Sequence, residues 1–226
     1  MTMRVGLWAI VVVAVLTAAG ISVRYWVNGH PNAIYCALSL FFSVNLLVCY
    51  WEVCLFRQQD LIRQRAEYWR RRREETGLTP AVEFLATGIP LTRCLSPSVG
   101  ADLWAIYSLY DGSYTDRRSY GFNIDIANGF FTAVPTLVLY AAFTVGFLPA
   151  VVAGILGVML FWQWAYATSV YLASFFVAGR HKLISRAEVS IYIWGANSGW
   201  VVCGLLGLYA SIRLIVDGDY TVLGYR

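Results

Sequence analysis

Apolar positions gather into five long blocks, about 5–26, 34–56, 122–147, 150–178 and 187–216, separated by shorter polar stretches. A membrane-crossing helix needs roughly 20 mainly apolar residues, and each block meets that length. The pattern predicts an all-α fold: a polytopic integral membrane bundle of five transmembrane helices, forming a single membrane domain over 1–226. The first block, with VVVAVLTAAG, resembles a secretory leader in its apolar run and small residues. Its length and the single arginine ahead of the run read instead as a retained first span. Pro31 and the short FLPA link at 147–150 mark turns between spans.

The longest interruption, 57–119, predicts an arginine-rich helix followed by an interfacial loop. RQQDLIRQRAEYWRRRREE (57–75) continues span two as a charged helix, with Leu61, Tyr68 and Trp69 near one face. It is either a solvated juxtamembrane helix or one lying on anionic headgroups with its aromatics in the interface. Pro80, Pro90, Pro97 and Gly100 keep any helix beyond it short, and LWAIYSLY (103–110) is too short to span. That segment reads as an interfacial or re-entrant element.

Charge then sets an orientation. Of 17 lysines and arginines, only Arg24, Arg213 and Arg226 fall away from the face that carries 57–119, GRHKLISR (179–186) and Arg117–Arg118. The excess of positive charge predicts that this face is cytoplasmic, with the N-terminus inside and the C-terminus on the opposite side. With 59% hydrophobic and 13% charged residues, the composition is far from the roughly 25% charge of soluble domains. The arginine run belongs to a membrane protein and does not point to nucleic acid. GxGxxG, GxxxxGK[ST], GxSxG and HExxH are absent from the sequence, so nothing in it calls for a nucleotide or other cofactor. The five cysteines form no CxxC pair and read as small buried hydrophobes. His30 and His181 lie beside different spans without metal-ligand spacing, so no metal is expected.

Polar groups inside hydrocarbon are costly, and each needs a reason. Span two carries Asn45 and Glu52 seven residues apart on one face, with Cys49 between them. Glu52 is either an interfacial carboxylate beside Arg57 or a carboxylate facing the bundle interior. In span three, Asn123 reads as the helix cap, with Asp125 in the first turn where the dipole favours it. Asp125 also starts a stripe through Asn128, Thr132 and Thr136. Such a stripe needs either interhelical hydrogen bonds or a polar pocket. Span four presents Gln163, with Tyr166 or Ala167, Val170 and Ser174 on one face. Span five spaces Trp194, Asn197 and Trp200 helically among Gly195, Ser198 and Gly199.

LWAIYSLYDGSYTD, then a third span, then NSGW in a fifth, resembles the emopamil-binding proteins, which include sterol isomerases, and their EXPERA-domain relatives. That resemblance implies a five-helix fold and a sterol-like ligand, with the family's NxxW pair on Asn197 and Trp200. The histidine and glutamate of the isomerases' second helix correspond to Asn45 and Cys49, and their third-helix glutamate falls near Asn128 or Gly129. WE at Trp51–Glu52 and VDGDY at 216–220 are similar to motifs of membrane-embedded meroterpenoid terpene cyclases. Those proteins have seven spans.

Together these readings give two expectations. One is an intramembrane pocket for a sterol-like or isoprenoid lipid, with isomerase or cyclase chemistry. Glu52 and Asp125 would then handle protons, and Asn45, Asn128, Thr132, Gln163, Tyr166 and Asn197 would line the site. Trp194 and Trp200 would face developing positive charge. The other is a non-catalytic subunit of a larger membrane complex, with the same polar groups serving as helix contacts. Partners are therefore membrane lipids, a hydrophobic small molecule or other membrane subunits.

Overall fold

The computed structural model describes residues 1–30 and 32–225; the turn expected at Pro31 and the charge at Arg226 lie outside the described residues. The fold is all-α. Among the described residues, five helices are long and apolar enough to cross a membrane: α1 (Val5–Asn28), α2 (Ala33–Arg57), α6 (Tyr120–Val145), α7 (Ala150–Val177) and α8 (Arg186–Asp217). Shorter helices α3 (Gln59–Thr76), α4 (Pro80–Ala86) and α5 (Pro97–Tyr107) fill the interruption between α2 and α6. A small antiparallel ribbon pairs β1 (Thr2–Arg4) with β2 (Gly88–Pro90), placing Met3 opposite Ile89. The apolar blocks carry no sign of that ribbon.

Two of the long helices contain a π turn, at Asn128–Thr132 in α6 and Val189–Trp194 in α8. In α6 the cause is close by. Pro135 has no N–H to donate, and its ring would crowd the carbonyl of Phe131 in a regular helix. The widened turn at 128–132 relieves both conflicts. π turns of this kind are frequent at functional sites.

The chain forms two compact units. The first comprises Met1–Val12, Val48–Phe130 and Tyr171–Gly195. Its core gathers Leu55, Ile62, Trp69, Trp104, Tyr114 and Phe175. Helix α3 is separate from α2, with Gln58 breaking the helical path at φ −113° and ψ 24°. Its inward face is Gln59, Ile62, Ala66 and Trp69. Tyr68, grouped with that face in the sequence, is exposed, with the Arg65 guanidinium 4.5 Å from its ring centroid. Helix α3 packs on α5, and Asp102 of α5 takes hydrogen bonds from Trp69 Nε1 (2.8 Å) and Arg65 Nε (2.6 Å). LWAIYSLY thus contributes the buried second half of α5, with Trp104 Nε1 donating to the carbonyl of Trp51 at 2.6 Å.

The second unit comprises Val13–Leu47, Phe131–Val170 and Ala196–Arg226. Phe41, Phe42, Phe143, Phe161 and Trp164 form its aromatic core. Gly157 and Gly204 let helices approach where a Cβ would meet Ser211 or the Phe161 carbonyl. Arg24 is wholly buried here; its guanidinium donates to the carbonyl of Leu223 at 2.7 Å and lies 3.2 Å from the Tyr225 ring centroid. Two carbonyls and an aromatic face thus surround the buried guanidinium.

Candidate functional site

Helix α6 begins at Tyr120, and Ser119 is its cap. The backbone of Ser119 is extended (φ −73°, ψ 151°), so its Oγ can accept the Phe122 N–H at 3.2 Å. Asn123, expected to be the cap, sits inside the helix and donates back to the carbonyls of Arg117 (2.7 Å) and Ser119 (2.8 Å). Asp125 consequently lies beyond the first turn. A favourable end to the helix dipole does not account for it.

What surrounds Asp125 is polar and belongs to the first unit. Asn128 is buried and donates through Nδ2 to Glu52 Oε2 at 2.8 Å. The same amide lies 3.7 Å from Cys49 Sγ, whose thiol is directed at the Asn128 carbonyl. Glu52 is only 3% exposed. It takes its hydrogen bond from an amide, and Asp125 is close enough to act on it electrostatically. Asp125, half-buried, accepts a hydrogen bond from the Tyr114 hydroxyl. Tyr114 is itself stacked on Trp104, with centroids 5.0 Å apart. Burial pushes the Tyr114 phenol well above its ordinary range, and the charge of Asp125 pushes in the same direction.

Gly129 allows this arrangement. A Cβ there would lie 2.8 Å from Glu52 Cβ and 3.0 Å from the Cys49 carbonyl, closer than packed atoms tolerate. Only a residue without a side chain lets the backbone of α6 come down onto α2 at this level. The Glu52–Asn128 pair is therefore set by the sequence ANG at 127–129 as much as by the acid itself.

A second buried network lies nearby in the same unit. Asp111, completely buried, pairs with Arg180 at 2.7 Å and accepts from Tyr171 Oη at 2.8 Å and from Ser113 N at 2.9 Å. Arg180 also donates to Ser174 Oγ at 2.9 Å. Ser174, on a span-four face by spacing, accepts from this arginine and donates to the Tyr171 carbonyl at 3.0 Å.

In the second unit, Asn45 is buried and donates to Thr136 Oγ1 at 3.3 Å, while its Oδ1 accepts from Trp200 Nε1 at 3.2 Å. Thr132 and Thr136 are buried, so the lower part of the α6 stripe faces protein. Gln163 and Asn197 are half-buried. Tyr166 is 57% exposed and stacks on Trp162, and Trp194 of the first unit is 45% exposed beside Phe176. These two aromatics lie at the protein surface.

Tyr114, Asp111 and Arg180 carry no spacing signal, because none lies within an apolar block. Asp111 and Tyr114 do fall inside LWAIYSLYDGSYTD, the passage that carries the family likeness. No protein-family model matches this chain, and no curated protein or solved structure matches it. Fold and site define a polytopic α-helical membrane protein with one buried carboxyl, Glu52, and a half-buried one, Asp125.

Proposed function

We propose that this protein carries out acid–base chemistry within the membrane on a sterol-like or isoprenoid lipid, with Glu52 and Asp125 as the proton-handling pair. The observation that carries the reading is Glu52: a carboxyl on a membrane helix, shielded from water and bonded to an amide. Ionisable groups kept inside membrane helices characteristically mark substrate sites or proton relays. The likeness to the emopamil-binding and EXPERA proteins points to the same class of ligand.

One carboxyl would deliver its proton to an alkene carbon, the π electrons forming the new C–H bond and leaving a cation on the neighbouring carbon. The other would remove an adjacent proton, whose bonding pair becomes the shifted double bond. Asn128 orients Glu52, and Tyr114 orients Asp125. In this reading the membrane supplies the substrate laterally.

Solvent deuterium tests the proposal. The purified protein, incubated in heavy water with sterol and isoprenoid alkenes, should introduce deuterium at carbon in one of them. Glu52→Gln should abolish that incorporation while the protein still inserts and folds. Absence of exchange together with a stoichiometric co-purifying polypeptide would favour the subunit reading instead. One feature favours that second reading: Gly195 and Gly199 of α8 are exposed, a Cβ at Gly199 would meet open space, and one at Gly195 would make only ordinary contact with the Ser190 carbonyl at 3.5 Å. Small residues four apart allow close helix approach in membranes.

Orientation is part of the proposal. Cysteine-accessibility labelling should find 57–119 and 179–186 on the cytoplasmic face and Tyr225 on the other. Labelling of both termini from one face would mean an even number of crossings.

A further inference from the structure

A groove of about 490 Å³ opens on the first unit, lined by Arg63 and Arg70 of α3 and by Thr115, Asp116 and Arg118 of the loop that leads into α6. Glu67 completes the polar wall. We infer that this groove binds the phosphate of an anionic lipid headgroup. The inference stands apart from the acid–base reading and shares no residue with it.

The charges are arranged for an anion. Arg63 Nε donates to a neutral partner, the Thr115 carbonyl at 3.1 Å. Glu67 is shared by Arg70 (2.6 Å) and Arg71 (3.1 Å), so two guanidiniums divide one carboxylate. Asp116 is already committed to the backbone N–H of Arg118 at 2.9 Å and to its Nε at 3.2 Å. Those contacts hold the Asp116 carboxyl below its usual range. Three arginines face two carboxylates, so the wall keeps one positive charge in surplus, and guanidinium forks match phosphate oxygens bidentately.

Position selects a lipid over a soluble phosphate. Arg118 stands two residues before Tyr120, where one candidate span begins, and Arg63 six residues after Arg57, where another ends. Both ends belong at the level of headgroups, and exposed Tyr120 is of the kind that anchors at that depth. The apolar face of α3 is turned inward onto α5, so this helix meets a membrane surface through its arginines.

Native mass spectrometry of the full chain in mild detergent tests the inference, with phosphatidic acid titrated against phosphatidylcholine. Wild type should retain phosphatidic acid preferentially. Arg63→Gln with Arg118→Gln should weaken that retention by at least about tenfold, since each basic group near a membrane surface contributes severalfold. Arg93→Gln with Arg186→Gln removes the same charge outside the groove and should change retention by less than about twofold. Equal losses in both double variants would overturn the site in favour of diffuse attraction. Displacement of the lipid by excess inorganic phosphate alone would overturn the lipid assignment. The Arg118 side chain is 91% exposed, so Arg118→Gln alone keeps the fold intact and should still lower retention about fivefold.

Discussion

Replacing Asp111 by alanine is expected to destabilise the protein by about 3–5 kcal/mol, the range found when one partner of a buried ion pair is removed. Three groups donate to this carboxylate, Arg180, Tyr171 and the Ser113 backbone N–H, and Arg180 extends the network to Ser174. Alanine leaves the Arg180 guanidinium, 17% exposed, without its counter-charge. The cost is therefore mostly that of a stranded cation, not the loss of one hydrogen bond. Thermal unfolding in detergent should show a midpoint lowered by about 10 °C. Asp111→Leu combined with Arg180→Met should recover most of the loss, because an apolar pair needs no desolvation of charge. A double variant no better than the single one would show that the Asp111–Arg180 pair is not the origin of the effect.

The five spans were legible because hydrocarbon demands long apolar runs, and those runs agree with the observed helices to within one or two residues at most ends. The segments between spans follow different rules. Helix α3 hides its inward face among arginines: Gln59, Ile62, Ala66 and Trp69 recur at helical spacing, but only two of them are strongly apolar. Helix α5 is 11 residues long, too short for a length criterion, and its burial depends on α3 covering it. Capping was misplaced by four residues because Asn123 and Ser119 are both good caps by type. The difference is made by the extended backbone at Ser119.

Glu52 shows how a local reading of charge can point the wrong way. Arg57 is five residues further along α2, and five helical residues turn through about 500°, which leaves the two side chains well apart around the axis. A partner four residues away would share its face; one five residues away does not. The chemical type of the true partner, an amide from α6, could be read from the Asp125–Asn128–Thr132–Thr136 stripe. The pairing itself could not, because it depends on Gly129 letting two backbones approach and on the π turn that Pro135 imposes.

Asn128→Leu should lower stability by about 1–3 kcal/mol, the cost of leaving a buried polar group without its partner. Leucine is close to asparagine in size, so the change removes the donor to Glu52 with little change in packing. Glu52→Leu alone should cost a similar amount for the mirrored reason, since the Asn128 amide then loses its acceptor. The double change, Glu52→Leu with Asn128→Leu, should be milder than the sum of the two, because neither group is then left unpaired. Additive losses would mean that the two side chains do not act on each other in the membrane. Function separates from stability in this series. If Glu52 is the proton donor and Asn128 its positioning residue, Asn128→Leu should slow deuterium incorporation but leave it measurable. Both variants lacking Glu52 should show none, including the double variant whose stability is largely restored. Exchange that followed stability alone would reduce the pair to a structural contact between α2 and α6.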